Sequence, residues 1–255
     1  MSMYSHRIDV SHKLKDHVHS LWCTHGKPSD QIIPDLLIPD GLLEIVFVLD
    51  GAYKKRKLSS KHVSLRIDRS VVIGIQDQVV MSNQLGPVKS MAIKFDPMRF
   101  YLLFGDAGVA ALNRHIPLSI FGNNELLKLD ENLSRVESIP EAIHTLETFF
   151  MNYSPRAVVS TEWEITSKCL ADMWLSKGNI DMDKLAETHH KSMDELELYF
   201  KKFIGLPPEE MAAIIKIASQ RQENDTTNTV TAISPSQLLG DVFKQEDLGQ
   251  PNKCK

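Results

Sequence analysis

The chain has 255 residues, 42% hydrophobic and 24% charged, with a formal net charge of −4 and a pI near 6.2. These are values of an ordinary globular protein, and they exclude a global attraction to nucleic acid or anionic lipid, so any DNA contact must rest on a local patch. Cys23, Cys169 and Cys254 are too widely spaced to indicate a disulfide framework. With no leader-like start and no apolar run near about eighteen residues, a cytoplasmic protein without a membrane partner is expected.

Residues 14–95 read as β-structure. Positions 17–23 half-alternate, with Trp22 as a core anchor. Asp40-Gly41 and Asp50-Gly51 are turn dipeptides bracketing 42–49, a run apolar on both faces except at Glu44. Such a strand belongs at the centre of a sheet covered on both sides. A carboxylate there is costly to bury unpaired. Glu44 therefore calls for a lysine or backbone amides as a structural partner, or for a ligand, and Glu44 and Trp22 are the candidate ligand-binding residues. Further strands are expected at 62–67, 70–76 and 88–95, and short strands with turns between them indicate a small barrel or sandwich. His17 and His19 would share a strand face with His25 not far on, but no glutamate follows in that strand to complete a metal set, and none is assigned.

Helical character takes over after Asp96-Pro97. Helices are expected at 98–105, ended by Gly105, from Asn124 to Arg135, and at 139–153, where Ile143, Leu146, Phe149 and Phe150 recur at helical spacing. The polar break at 152–156 is a reasonable domain boundary. Thr161 is expected to cap a helix over 162–176, with Ile165, Cys169, Leu170 and Met173 inward and Gly178 as a left-handed C-cap. The next helix starts at Asp181 and holds Leu185 and Ala186. Ser192 and Glu195 then form a capping box that opens a helix with the buried stripe Leu196, Phe200 and Phe203. Gly205 suits another C-cap, and Pro207-Pro208-Glu209-Glu210 opens one more helix. From Gln222 onward the chain is polar and aperiodic and is expected to be a disordered tail, save for a short helix at 235–243.

Two short helices about a tight polar turn, followed by a third beyond Gly-Leu-Pro-Pro, form a helix-turn-helix layout. Residues 163–219 resemble the first helix-turn-helix of AraC/XylS-type transcriptional regulators. The resemblance is carried by Ile180 with Leu185-Ala186, Ser192, Phe200 with Gly205 and Pro208, and Ile214-Ile215-Lys216. Trp22, Pro39-Asp40-Gly41 with Glu44, Gly86-Pro87, and Phe95 with Pro97 resemble a β-rich N-terminal domain of a bacterial subgroup of these regulators. The likeness covers residue 1 to about 220. It implies an α+β chain: a β-rich, cupin-like barrel or sandwich with following helices over 1–153 for sensing or dimerisation, an all-α helix-turn-helix domain over 157–221, and a tail over 222–255.

The implied function is sequence-specific DNA binding by a transcription factor, with a small-molecule effector and pairing as a homodimer or with paralogues, and without a cofactor. The groove-facing set would be Lys191, Ser192, Met193, Asp194, Glu197 and Lys201. Two departures weaken the DNA expectation. Relatives carry a second helix-turn-helix, of which 236–243 is only a faint echo, so a shortened regulator is expected. Residues 179–221 also hold six basic side chains against eight acidic ones, whereas affinity for DNA is built largely on phosphate neutralisation. His189-His190 fills a stretch where relatives usually have an apolar residue and a turn glycine. The alternatives are an interaction protein that pairs with full-length paralogues without binding DNA, and a metal-dependent β-barrel enzyme. Catalytic signatures such as Gly-x-Ser-x-Gly, a P-loop or His-Glu-x-x-His are missing, so no enzyme is expected.

Overall fold

A computed structural model describes residues 5–26, 35–59, 64–154 and 157–227. Ten strands occur among them: β1 (Ser5–Ile8), β2 (Ser20–Gly26), β3 (Asp35–Leu37), β4 (Leu43–Asp50), β5 (Tyr53–Lys57), β6 (Leu65–Ile67), β7 (Val71–Ile73), β8 (Val80–Gln84), β9 (Val88–Phe95) and β10 (His115–Pro117). The helices are α1 (Pro97–Phe104), α2 (Ala107–Ala110), α3 (Leu118–Phe121), α4 (Asn124–Ser134), α5 (Ile139–Asn152), α6 (Thr161–Leu175), α7 (Met182–Thr188), α8 (Met193–Phe203) and α9 (Pro208–Thr227). None of the described helices is long and apolar enough to cross a membrane.

Two antiparallel sheets result. Six strands run β1-β2-β9-β4-β7-β10, and four run β3-β8-β5-β6. The strand between the two turn dipeptides is central, as its apolar faces predict. Alternation sends Ile45 and Phe47 to one face, where both are fully buried, and Glu44, Val46 and Val48 to the other. The first face joins Leu21, Val72, Ile93 and Phe95 under the helices. The second meets the smaller sheet through Val46, Val71, Ile73 and Val88 against Tyr53 and Ile67.

This is a sandwich backed by helices. The cupin-like barrel alternative does not close: β1 and β10 remain edges of one sheet, β3 and β6 of the other. The larger sheet buries its convergent face under helices and has no need to curl upon itself. Two further strand expectations shift. His17 lies in a turn before β2 and stacks on Phe150 at 6.1 Å, so it shares no strand face with His19. β7 stops at Ile73 because Gly74 lies against the backbone of Ala111, whose carbonyl oxygen would be 1.9 Å from an added Cβ.

An aromatic cluster fills the space between sheet and helices. Phe95 meets Phe100 edge-on at 5.5 Å and Phe150 at 5.9 Å, while Phe100 and Phe104 are 4.7 Å apart. The same body of buried side chains runs on through Cys169, Met173, Leu185, Leu196, Phe200 and Ile215, so the helices after 157 share one core with the strands. The described residues through Ser219 belong to one compact unit. α9 reaches Thr227, past the position where the tail was expected to begin. The rest of that expected tail, with the short helix at 235–243, lies outside the described residues.

Candidate nucleic-acid interface

Ser160, not Thr161, caps α6, its hydroxyl accepting from the Trp163 amide at 3.2 Å. Both hydroxyls precede an acidic first turn, so sequence alone does not separate them. After α6 the chain reverses through Lys177 and Gly178 at φ 54° and 73°. Gly178 is required there for a second reason, since a Cβ would lie 2.3 Å from the Ala212 carbonyl oxygen on α9. Asp181 caps α7, accepting from the amides of Asp183 and Lys184.

The turn between α7 and α8 is held at three points. His189 Nε2 is 2.8 Å from Asp172 on α6. His190 is left-handed at φ 53°, the conformation a glycine would adopt without strain. The Lys191 amide donates to the Ala186 carbonyl at 3.0 Å. Nothing in the sequence signals the Asp172–His189 clasp, since the two residues lie 17 positions apart with no periodic link.

α8 begins with the expected capping box: Ser192 Oγ accepts from the Glu195 amide at 3.3 Å, and Glu195 accepts from the Ser192 amide at 2.9 Å. That amide, together with the Lys191 ammonium, holds Glu195 below the usual carboxylate range. Leu196, Phe200 and Phe203 are buried as the stripe predicts, while Ser192, Asp194, Leu198 and Lys201 are exposed. Lys191 and Glu197 keep 25% and 42% of their side-chain surface, so neither belongs to a core. Met193 is half-buried against the core. The two nearest cations are engaged within the helix: Lys191 pairs with Glu195 and Lys201 with Glu197, each at 3.0 Å. What α8 offers to a groove is thus one hydroxyl, an exposed carboxylate, an exposed leucine and two lysines already paired.

The other candidates lie on the face of the six-stranded sheet that looks toward the smaller sheet. Glu44 is half-buried, opposite Lys94 across the β4–β9 ladder, and Lys94 is ion-paired with Asp40. Trp22 is half-buried on β2, paired with Ala92, and its indole donates to Ser20 Oγ at 3.3 Å. The two are on one face with β9 between them, and the structure does not bring them into contact. Among the described residues no group of three or more His, Cys, Asp or Glu side chains is placed to hold a metal ion.

Residues 6–117 match a family described as a domain of unknown function, DUF6597. The match ends where β10 ends, so the matched region takes in both sheets with α1 and α2. No curated protein matches the chain. Among solved structures, ToxT from Vibrio cholerae is similar over 86% of this chain and 89% of its own, at 14% identity and a TM-score of 0.43. The AraC-like transcriptional activator CuxR is similar over 89% and 96%, at 12% identity and a TM-score of 0.30. Both scores are too low to carry either protein's properties to this chain.

The helical unit is seated on the matched region at several places. Phe203 of α8 meets Tyr101 of α1 edge-on at 4.9 Å, and Trp163 of α6 donates to the Met98 carbonyl at 3.3 Å. Gly41, at φ 71° in the turn before β4, lies against Met211, Ile214 and Trp174. These contacts engage the inward sides of α6, α8 and α9 and leave the start of α8 open.

Proposed function

We propose that the chain is a DNA-binding transcriptional regulator of the AraC type, with α8 as the helix that enters the major groove. The observation that carries this reading is the exposed, box-capped start of α8, set after a tight turn and anchored from behind by Leu196, Phe200 and Phe203. The resemblance over 163–219 supports it, and the matched region would serve sensing or dimerisation, with Glu44 and Trp22 available to an effector. The reading assigns the chain no reaction.

The charge pattern argues for weak binding. Asp194 and Glu197 can only accept, from the amino groups of cytosine or adenine, and repel phosphate, and the Lys191 and Lys201 pairs would have to open before either reached DNA. Fluorescence anisotropy with duplex DNA from upstream of the protein's own coding sequence, at stepped salt, tests the reading. Association is expected at low salt, falling steeply as salt rises. Glu197→Lys should strengthen it by about tenfold, by removing a repulsive charge and adding a phosphate contact. No association at the lowest salt, in both proteins, would eliminate direct DNA binding. That outcome would favour the second reading, an interaction protein, for which Leu198 at 64% exposure on the same helix supplies an apolar contact.

A further inference from the structure

β5 has the sequence Tyr-Lys-Lys-Arg-Lys. Strand alternation turns Tyr53, Lys55 and Lys57 toward one face. Tyr53 lies in the core between the sheets, its hydroxyl 2.6 Å from Ser90 Oγ, and Lys55 is carried the same way to 8% exposure. Among the described residues no hydrogen bond or ion pair holds the Lys55 ammonium; Glu44 attracts it through space and Lys94 opposes that attraction. With its side chain largely buried and its ammonium reaching only a recess, the charge is poorly hydrated, and an anion in that recess would offset the cost.

Lys55 borders an opening of about 680 Å³ where the β5–β6 end of the smaller sheet faces β10. Lys57, Arg114 and His115 share its wall, and among the described residues no aspartate or glutamate does. Burial, then Lys55 and Lys57, push His115 down to about 3, so the imidazole stays neutral while the surrounding potential is positive. Arg56 and Asn113 add polar groups to the wall, and an apolar side is supplied by Val80, which is buried, Leu65, half-open at 45% exposure, and Ile120, which projects at 72% exposure. The volume is that of a small-molecule site. A cationic end and an apolar end in one recess select a ligand with both characters.

We propose that this opening binds a small organic anion, with a carboxylate, sulfonate or phosphate group seated on Lys55 and Lys57 and an aliphatic or aromatic body against Leu65, Val80 and Ile120. None of these residues belongs to α6–α9, so the proposal stands independently of any contact between α8 and DNA.

The test is a fluorescence titration of the full chain with anilinonaphthalene sulfonate, whose emission rises on leaving water, in competition with naphthoate and with the uncharged naphthalenemethanol. Saturable binding is expected, with naphthoate displacing the probe at concentrations about tenfold lower than the alcohol. Lys55→Met should weaken the probe by about tenfold while keeping or raising the thermal midpoint, since an uncompensated buried charge is removed. Lys57→Gln, on the half-open rim, should weaken it too and keeps the test valid if Lys55→Met does not fold. Equal displacement by acid and alcohol, or unchanged probe affinity in the folded lysine variants, overturns the proposal.

Discussion

His115 shows how a single side chain takes its chemistry from neighbours that are remote in sequence. Its two lysine neighbours are about sixty positions away, on a strand of the other sheet. Because the native state holds its pKa at about 3 rather than 6.5, the unfolded chain binds a proton that the folded chain refuses below pH 6.5. The associated stability is present above 6.5 and is lost as pH falls toward 3, by an amount on the order of a few kcal/mol. Urea midpoints at about pH 7 and pH 5 should show a smaller acid loss in His115→Gln than in the parent. Nothing in the sequence marks His115 or Lys55. A lysine inside a run of four basic residues in five reads as solvated, and only the pairing of β5 with β6 and β8 turns it inward. Glu44, by contrast, was legible as the lone charge in an apolar strand, and so was Ser192, because a cap and its box are local chemistry. His190 is an intermediate case. The need for a left-handed residue was visible through the glycine that relatives carry, and the strain of a histidine there became visible only in the backbone angle.

At the level of elements, legibility followed punctuation. β4 and β9 fall where Asp-Gly turns and alternation placed them, and α4, α5 and α8 begin at capping residues within one or two positions of expectation. The strands that escaped, β1, β3, β5, β8 and β10, have either a charged composition or only three to five residues, and they owe their form to partners across a ladder. The barrel expectation failed for a related reason: closure depends on which element covers a face, a fact no strand contains. Among the helices, α8 is the one whose start carries the proposed function. Ser192→Ala removes the Glu195 amide's acceptor and one half of the box, and should destabilise the chain by about 1 kcal/mol. A denaturant midpoint unchanged within error would mean that the box is ornamental and that packing alone aligns α8.

For the whole molecule, the continuous core makes a mechanical statement. Buried side chains pass from the sheet through the Phe95–Phe150 cluster to Phe200 and Ile215 without a solvated layer. Unfolding should then be one cooperative event. Trp22 reports from the sheet and Trp163 and Trp174 from α6. A variant retaining only Trp22 and one retaining only Trp163 and Trp174 should give coincident urea transitions; midpoints that separate by more than the change in overall stability would show two independently melting bodies. The polar stretch at 152–156 is a natural place to divide the sequence, yet a dividing line in sequence carries no information about how much apolar surface lies beneath it.

The seat of Gly41 has a practical corollary for protein engineers. A Cβ at this position would come within 2.9 Å of the Met211 side chain, and the turn leads directly into the strand that bears Glu44. Chimeras that graft these four helices onto a foreign β-rich half would have to transplant a matching socket, with Gly41, Tyr101 and Val109 included, or leave greasy surface exposed to water. Exchanging either half would here require re-cutting the joint.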